Sequence, residues 1–328
     1  MDARFSFDQG ETSHHCFELL YWIKKTQRAV SFLKPIYPAN ENGFKRVLFG
    51  GLCQGRILIG HEEGISEYRI NDNQLRPVLH QTLNNSQIDR TRKYCVTDDV
   101  IVICGGEKYD NVQNRKVEIL TFSNTKDQKL TKRKCPTLLP FDINEDRRLF
   151  YLGHNRLLLF GATRYYYCDT LPRCQRVIRY PLKTGKLVFE GIINNVKDNI
   201  IWKEVGSLNT SRIATIIFKM KNYVYVAGGK SRVGNGLVSC ERLNLITYCW
   251  EQTVYSLPSK ISAEHSSVVV NADESEAIIF GCKCLVFLKC SCNYVIAFNE
   301  NKGFSVVQKE IISNKIQCSN TNHVSIAL

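Results

Sequence analysis

Five short apolar runs, each closed by glycine, recur along the chain and leave few folds open to it. They are RILIG ending at Gly60, VIVICGG with Gly105, LLLFG at Gly161, YVYVAGG with Gly228 and AIIFG at Gly281. Their glycines follow one another by 45, 56, 67 and 53 residues. That is a mean of roughly 55, the spacing of an architecture with one supersecondary unit per repeat. The runs are too short for ordinary helices and rich in β-branched and aromatic residues, so the unit is built of strands.

Each run is preceded by another strand and a tight turn. FKRVLFGGL–CQG–RILIG, KYCV–TDD–VIVIC, RLFYLG–HN–RLLLFG, IATIIFK–MKN–YVYVAGG and SSVVVN–ADESE–AIIFG read as five consecutive hairpins. A third strand is expected after each glycine (ISEYRI, KVEILTF, QRVIRYP, VSCERLN, NYVIAFN). A fourth follows (LRPVLH, around Gln128–Thr131, IIWKEV, WEQTVY, FSVVQKE). The long third spacing is assigned to an extra hairpin at Leu187–Asn199, between the last two strands of its unit.

One window carries a family signature. Trp202 is followed by KEVGSLNTS and Arg212, then VYVAGG with Gly228 and Gly229, then Glu241-Arg242-Leu243-Asn244, then Trp250 and Ser256-Leu257-Pro258. This resembles the kelch repeat, whose pattern is a double glycine, a Tyr on the third strand and a Trp about seven residues later. Leu243 stands in place of that Tyr. Gly105–Gly106 repeat the double glycine, whereas the other units carry Gly60-His61, Gly161-Ala162 and Gly281-Cys282, with no aligned Trp. The resemblance implies an all-β propeller of four-stranded antiparallel blades, closed into a ring because each blade buries its faces only against its neighbours. Glycine allows the sharp, close-packed turns, and the large aromatic fills the gap between adjacent twisted blades.

The expected blades span about 44–80, 92–135, 148–205, 213–255 and 264–309 of a single domain over 1–328. A sixth would combine 1–37 (Ala3–Phe7, CFELLYW, AVSFLKP) with HVSIAL in 320–328, removing exposed sheet edges. The alternative is five blades with an N-terminal arm.

Lys plus Arg number 44 against 31 Asp plus Glu, a net +13, which favours acidic partners. No basic n-region precedes an apolar stretch at the start, and no apolar run approaches the roughly 20 residues that span a bilayer. A soluble protein of the cytoplasm or nucleus, making no membrane contact, is therefore expected. In that setting the 14 cysteines read as reduced thiols, many of them small core residues.

In an up-down-up-down blade, the second-to-third and fourth-to-first connections share one face. The second-to-third connections carry ten basic residues against five acidic ones. Kelch propellers bind peptides or protein segments on this face, so the resemblance points to an acidic or phosphorylated ligand held by Arg115, Arg164, Arg173, Arg176, Lys230 and Arg232. Tyr165, Tyr166 and Tyr167 lie in the same connections and suit an interface hot spot, or a strand edge with alternating buried rings. Phe287, in the apolar stretch Leu285–Leu288, is either an interaction knob or a buried plug.

Cys282, Cys284, Cys290 and Cys292 form a C-x-C-x5-C-x-C arrangement. Four sulfurs on paired strands could converge on zinc, but the spacing departs from the common C-x2-C motifs, and no metal or cofactor is expected. Lys126–Lys134 (KDQKLTKRK) is the densest basic run and is assigned to a third-to-fourth connection on the opposite face. No aromatic residue interleaves it, which argues against nucleic-acid stacking. No catalytic motif is present: there is no G-x-S-x-G, H-E-x-x-H, P-loop or dinucleotide fingerprint. The reading is a non-enzymatic interaction platform, a scaffold or a substrate adaptor whose link to a ubiquitin ligase would need a separate subunit. A kelch-fold enzyme acting on a small molecule such as a sugar, or a nucleic-acid-contacting protein, is the alternative.

Overall fold

A computed structural model describes residues 2–7, 17–23, 28–32, 47–61, 64–69, 74–79, 93–105, 115–122, 130–140, 148–162, 186–194, 199–212, 215–231, 235–260, 266–271, 273–282, 293–308 and 324–327. The described chain is all-β. Three strands come first: β1 (Asp2–Phe7), β2 (Phe17–Ile23) and β3 (Arg28–Phe32). Blade 1 is β4 (Val47–Cys53), β5 (Arg56–His61), β6 (Gly64–Arg69) and β7 (Gln74–Leu79). Blade 2 is β8 (Lys93–Val96), β9 (Val100–Cys104), β10 (Val117–Phe122) and β11 (Leu130–Lys134). Blade 3 is β12 (Arg148–Gly153), β13 (Arg156–Ala162), β14 (Leu187–Asn194) and β15 (Asn199–Ser207). Blade 4 is β16 (Ile216–Met220), β17 (Tyr223–Ala227), β18 (Ser239–Asn244) and β19 (Trp250–Ser256). Blade 5 is β20 (Ser266–Val270), β21 (Ala277–Cys282), β22 (Asn293–Asn299) and β23 (Gly303–Gln308), and β24 (Val324–Ala327) ends the series.

Each blade is a four-stranded antiparallel sheet of consecutive strands, and together the five form a β-propeller. A further four-stranded sheet has the order β24-β1-β2-β3, with Arg4 opposite Ser325. Tail strand and head strands pair here as HVSIAL and Ala3–Phe7 lead one to expect. The innermost strands β4, β8 and β12 contact one another in series, as do β16, β20 and β24, and β24 also contacts β4.

The second strand of a blade is sandwiched on both faces, so it reads as a continuous apolar run. Every residue of β9 is buried, and Val224–Ala227 of β17 are all buried. The core lies between blades. Leu157 and Leu159 of blade 3 pack with Val100 and Val102 of blade 2. Leu158 and Phe160 use the opposite face of β13 to pack with Val224 and Leu243 of blade 4. At roughly 25 cal/mol per Å² of apolar surface, this burial holds blade to blade without ladder hydrogen bonds between sheets. At the double glycine, Gly228 and Gly229 have φ of 64° and 85°, a region that side chains with a Cβ resist.

Two strand assignments change. The third strand of blade 3 is Leu187–Asn194, paired with β13 and β15, so no extra hairpin lies there and residues 163–185 separate β13 from β14. The expected strand QRVIRYP falls outside the described residues. LVFEGIIN takes the position because a central strand must be buried on both faces; five successive residues from Leu187 to Gly191 are buried. In blade 2 the fourth strand, expected around Gln128–Thr131, is Leu130–Lys134, so the end of the basic run is the outermost strand rather than part of a connection. Only Leu130 of it is buried, so an edge strand facing solvent tolerates its charge.

Trp250 fills the gap between blades 3 and 4, meeting Phe160 edge-on at 6.2 Å between ring centroids. Strand register shows that blade 3 also has an aligned Trp. Trp250 lies opposite Leu243, which lies opposite Val224; Trp202 lies opposite Gly191, which lies opposite Leu157. Trp202 packs against the core between blades 2 and 3. Cys53, Cys95, Cys104, Cys135 and Cys240 are buried free thiols. Burial pushes the Cys95 and Cys240 thiols up to about 12, which keeps them protonated and unreactive.

Candidate functional site

The second-to-third and fourth-to-first connections build one face from short returns pinned to the blade above. In blade 2 the Leu139 amide donates to the Arg115 carbonyl at 2.8 Å. In blades 3 and 4 the Leu208 and Leu257 amides donate to the carbonyls of Lys186 and Val238, both at 2.8 Å. All three leucines are buried, so each return is fastened by one apolar plug and one backbone bond. Of the three, Leu208 and Leu257 stood within the recognised repeat and Leu139 did not. The shared sequence signal is a leucine just after the fourth strand, beside Ser, Thr or Pro (TLLP, SLNT, SLPS).

Arg212 and Glu241 anchor the return between blades 3 and 4. Both side chains are fully buried, with Nη2 of Arg212 2.8 Å from Oε1 of Glu241. Nη1 of Arg212 donates to the carbonyls of Gly228 and Ser239 at 3.0 and 2.8 Å, and Nη2 also reaches the Ser239 hydroxyl at 3.0 Å. Glu241 accepts from the backbone amides of Asn209 and Thr210 at 2.5 and 3.0 Å. This pair is spent on architecture: it ties the return to both central strands of blade 4.

Around that frame the described residues of this face present Arg115, Lys116, Lys186, Lys230 and Lys260; of the carboxylates close by, Glu241 is buried on Arg212, and Glu118 near the start of β10 is held by Nζ of Lys132 at 2.7 Å. Nε of Arg115 donates to the Leu139 carbonyl at 2.7 Å, and Nζ of Lys186 to the Asn209 carbonyl at 2.7 Å. Lys230 forms a backbone bridge with Gly236, and the stem of Lys260 lies 3.0 Å from where a Gly236 Cβ would be, so both lysines flank that glycine. Among the described residues, carbonyl acceptors leave the charge of Arg115 and Lys186 uncancelled.

The described turns of the opposite face have the reverse sign, with Arg56 and Arg156 opening β5 and β13 beside them. These turns carry Asp98, Asp99, Asp273, Glu274, Glu276 and Glu300 against Lys221 and Lys302. The Tyr151 hydroxyl donates to Oδ2 of Asp98 at 2.7 Å; burial, reinforced by that bond, pushes its phenol up to about 12. Glu300 accepts from the Tyr225 hydroxyl, and Nζ of Lys219 pairs with Glu274 at 2.7 Å.

Of the residues singled out from the sequence, Arg115 and Lys230 are placed on the basic face. Arg164, Tyr165, Tyr166, Tyr167, Arg173, Arg176, Arg232 and Phe287 lie outside the described residues, as do Cys284, Cys290 and Cys292. Among the described residues no cluster of three or more His, Cys, Asp or Glu could hold a metal ion, and no helix is long and apolar enough to cross a membrane. Lys186 and Lys260 were missed: one directly precedes the misassigned β14, and the other sits in a fourth-to-first return rather than in the connections counted. No family model matches the chain, and no curated protein matches it.

Proposed function

We infer that this chain is a kelch-type interaction platform, not an enzyme, whose basic face holds an acidic or phosphorylated segment of another protein. The observation that carries this reading is the sorting of charge. Five cations and no exposed carboxylate lie among the described residues of one face, and carboxylates outnumber lysines on the other. Random placement of a net positive charge would leave both faces basic. Sorted charge steers encounter and rejects like-charged partners, and it weakens with salt because exposed charges are screened over about 8 Å at physiological ionic strength.

The candidates Arg164, Arg173, Arg176 and Arg232 belong to the same connections and would extend the cationic ring, with Tyr165–Tyr167 and Phe287 as apolar anchors. The sheet β24-β1-β2-β3 is read as the sixth blade, since β24 contacts the inner strands on both sides, β4 and β20. Scaffold and ligase adaptor differ only in what is held, so the partner defines the role, in the cytoplasm or nucleus.

The test is affinity capture with mass spectrometry, comparing the native protein with a variant carrying Lys116→Glu, Lys186→Glu, Lys230→Glu and Lys260→Glu. Partner recovery should fall by about tenfold or more, at about 1 kcal/mol or less for each of several exposed contacts. Unchanged recovery by a folded variant would remove the basic face from the function.

A further inference from the structure

We propose that the outer edge of blade 2 is a second docking site, where an extended acidic segment of a partner protein adds to β11 as a fifth strand. The site is separate from the basic face and does not rest on that reading.

β11 is the outermost strand of its sheet, in the order β11-β10-β9-β8, so among the described residues one side of its backbone has no ladder partner. Which groups point outward follows from register. The Cys135 amide donates inward to the Val117 carbonyl at 3.0 Å. In an antiparallel pair the amide and carbonyl of one residue point the same way, and the direction alternates. Arg133 and Thr131 therefore also face β10, and Lys134, Lys132 and Leu130 offer their amides and carbonyls to solvent.

The side chains then select what may pair. Lys132, Arg133 and Lys134 are exposed and consecutive, and Nζ of Lys132 lies 2.7 Å from Glu118. Lysines on an edge strand repel a second copy of the same edge, the usual protection against self-association. The same charge favours an incoming acidic strand, because opposite charges placed across a ladder stabilise the pair. The other blades lack this combination. β7 contains Pro77, which removes an edge donor; β15 mixes Lys203 with Glu204; β19 carries Glu251 and no cation; β23 carries no charge. Main-chain bonding to an exposed edge, with side chains setting specificity, is a recurrent way to hold an extended peptide.

The test uses two labelled peptides of alternating threonine and glutamate, one with free amides and one N-methylated. They share charge, but only the first can complete a ladder. Fluorescence anisotropy should show the full-length protein preferring the free-amide peptide by about tenfold, as expected for one or two net backbone hydrogen bonds. Lys134→Pro removes an outward amide without breaking a bond to β10, and should abolish that preference. Lys134→Ala keeps the amide and should retain it. Charge reversal on the basic face should weaken both peptides alike and leave their ratio unchanged. Equal binding of the two peptides to the native protein would overturn the proposal, as would a preference that survives in Lys134→Pro. Duplex DNA that displaces the free-amide peptide and binds Lys134→Pro as well as native would also overturn it, assigning the strip to nucleic acid.

Discussion

Replacing Arg212 by methionine should destabilise the protein by about 3–5 kcal/mol, because it leaves the Glu241 carboxylate buried without its counter-charge. The guanidinium makes four of the contacts that tie the return at Asn209–Arg212 to β17 and β18. A domain of ordinary stability has about 5–15 kcal/mol in total, so much of the margin would go. Glu241→Leu should cost a comparable amount, since it strands both the guanidinium and the amides of Asn209 and Thr210. The double replacement should recover part of the loss, because two well-packed apolar residues can match a buried ion pair. Urea unfolding at equilibrium measures all three. A single Arg212→Met variant within about 1 kcal/mol of native would mean the pair contributes little net stability to this fold.

Gly51→Ala should be nearly as damaging, for a steric reason. Gly51 lies on β4, the innermost strand of blade 1, where an added Cβ would sit 2.4 Å from the Cβ of Val96 on β8 and 2.8 and 2.9 Å from its two methyls. A Cβ cannot rotate away as a flexible tip can, so the two blades must separate. Overpacking of this kind costs about 1–3 kcal/mol or more. Val96→Gly in the same chain should restore much of the loss in thermal unfolding. Additive losses in the double variant would show that the inner strands do not approach as closely as the structure has them.

Most of the ladder could be read from the sequence because its signal is local. Hairpins such as Ile216–Met220 with Tyr223–Ala227 combine apolar strands and a two-residue turn within a dozen positions. Even the pairing of β24 with β1 follows from strand patterns left over at the two ends. What could not be read was decided by tertiary context. QRVIRYP alternates as a half-buried strand should, whereas Leu187–Asn194 is apolar enough to be central, and only packing chooses between them. The fourth strand expected around Gln128–Thr131 runs on through the charged LTKRK, whose extent only the sheet reveals, at an edge where composition is least constrained. Trp202 escapes a seven-residue spacing rule because its strands are longer, yet register puts it in the slot of Trp250. On the candidate site, the net charge of the sequence carries the expectation of an acidic partner but does not single out the residues. Arg115 reads like any other loop cation, and only the folded chain shows its Nε bonded to Leu139.

The most direct test of the account is hydrogen exchange of the protein alone and bound to its captured acidic partner. Protection should rise in the returns at 135–140, 208–212, 228–231 and 257–260, on the basic face. Protection confined to the opposite turns at 97–99, 221–222, 245–249 and 273–276 would contradict it, placing the partner on the acidic side of the propeller.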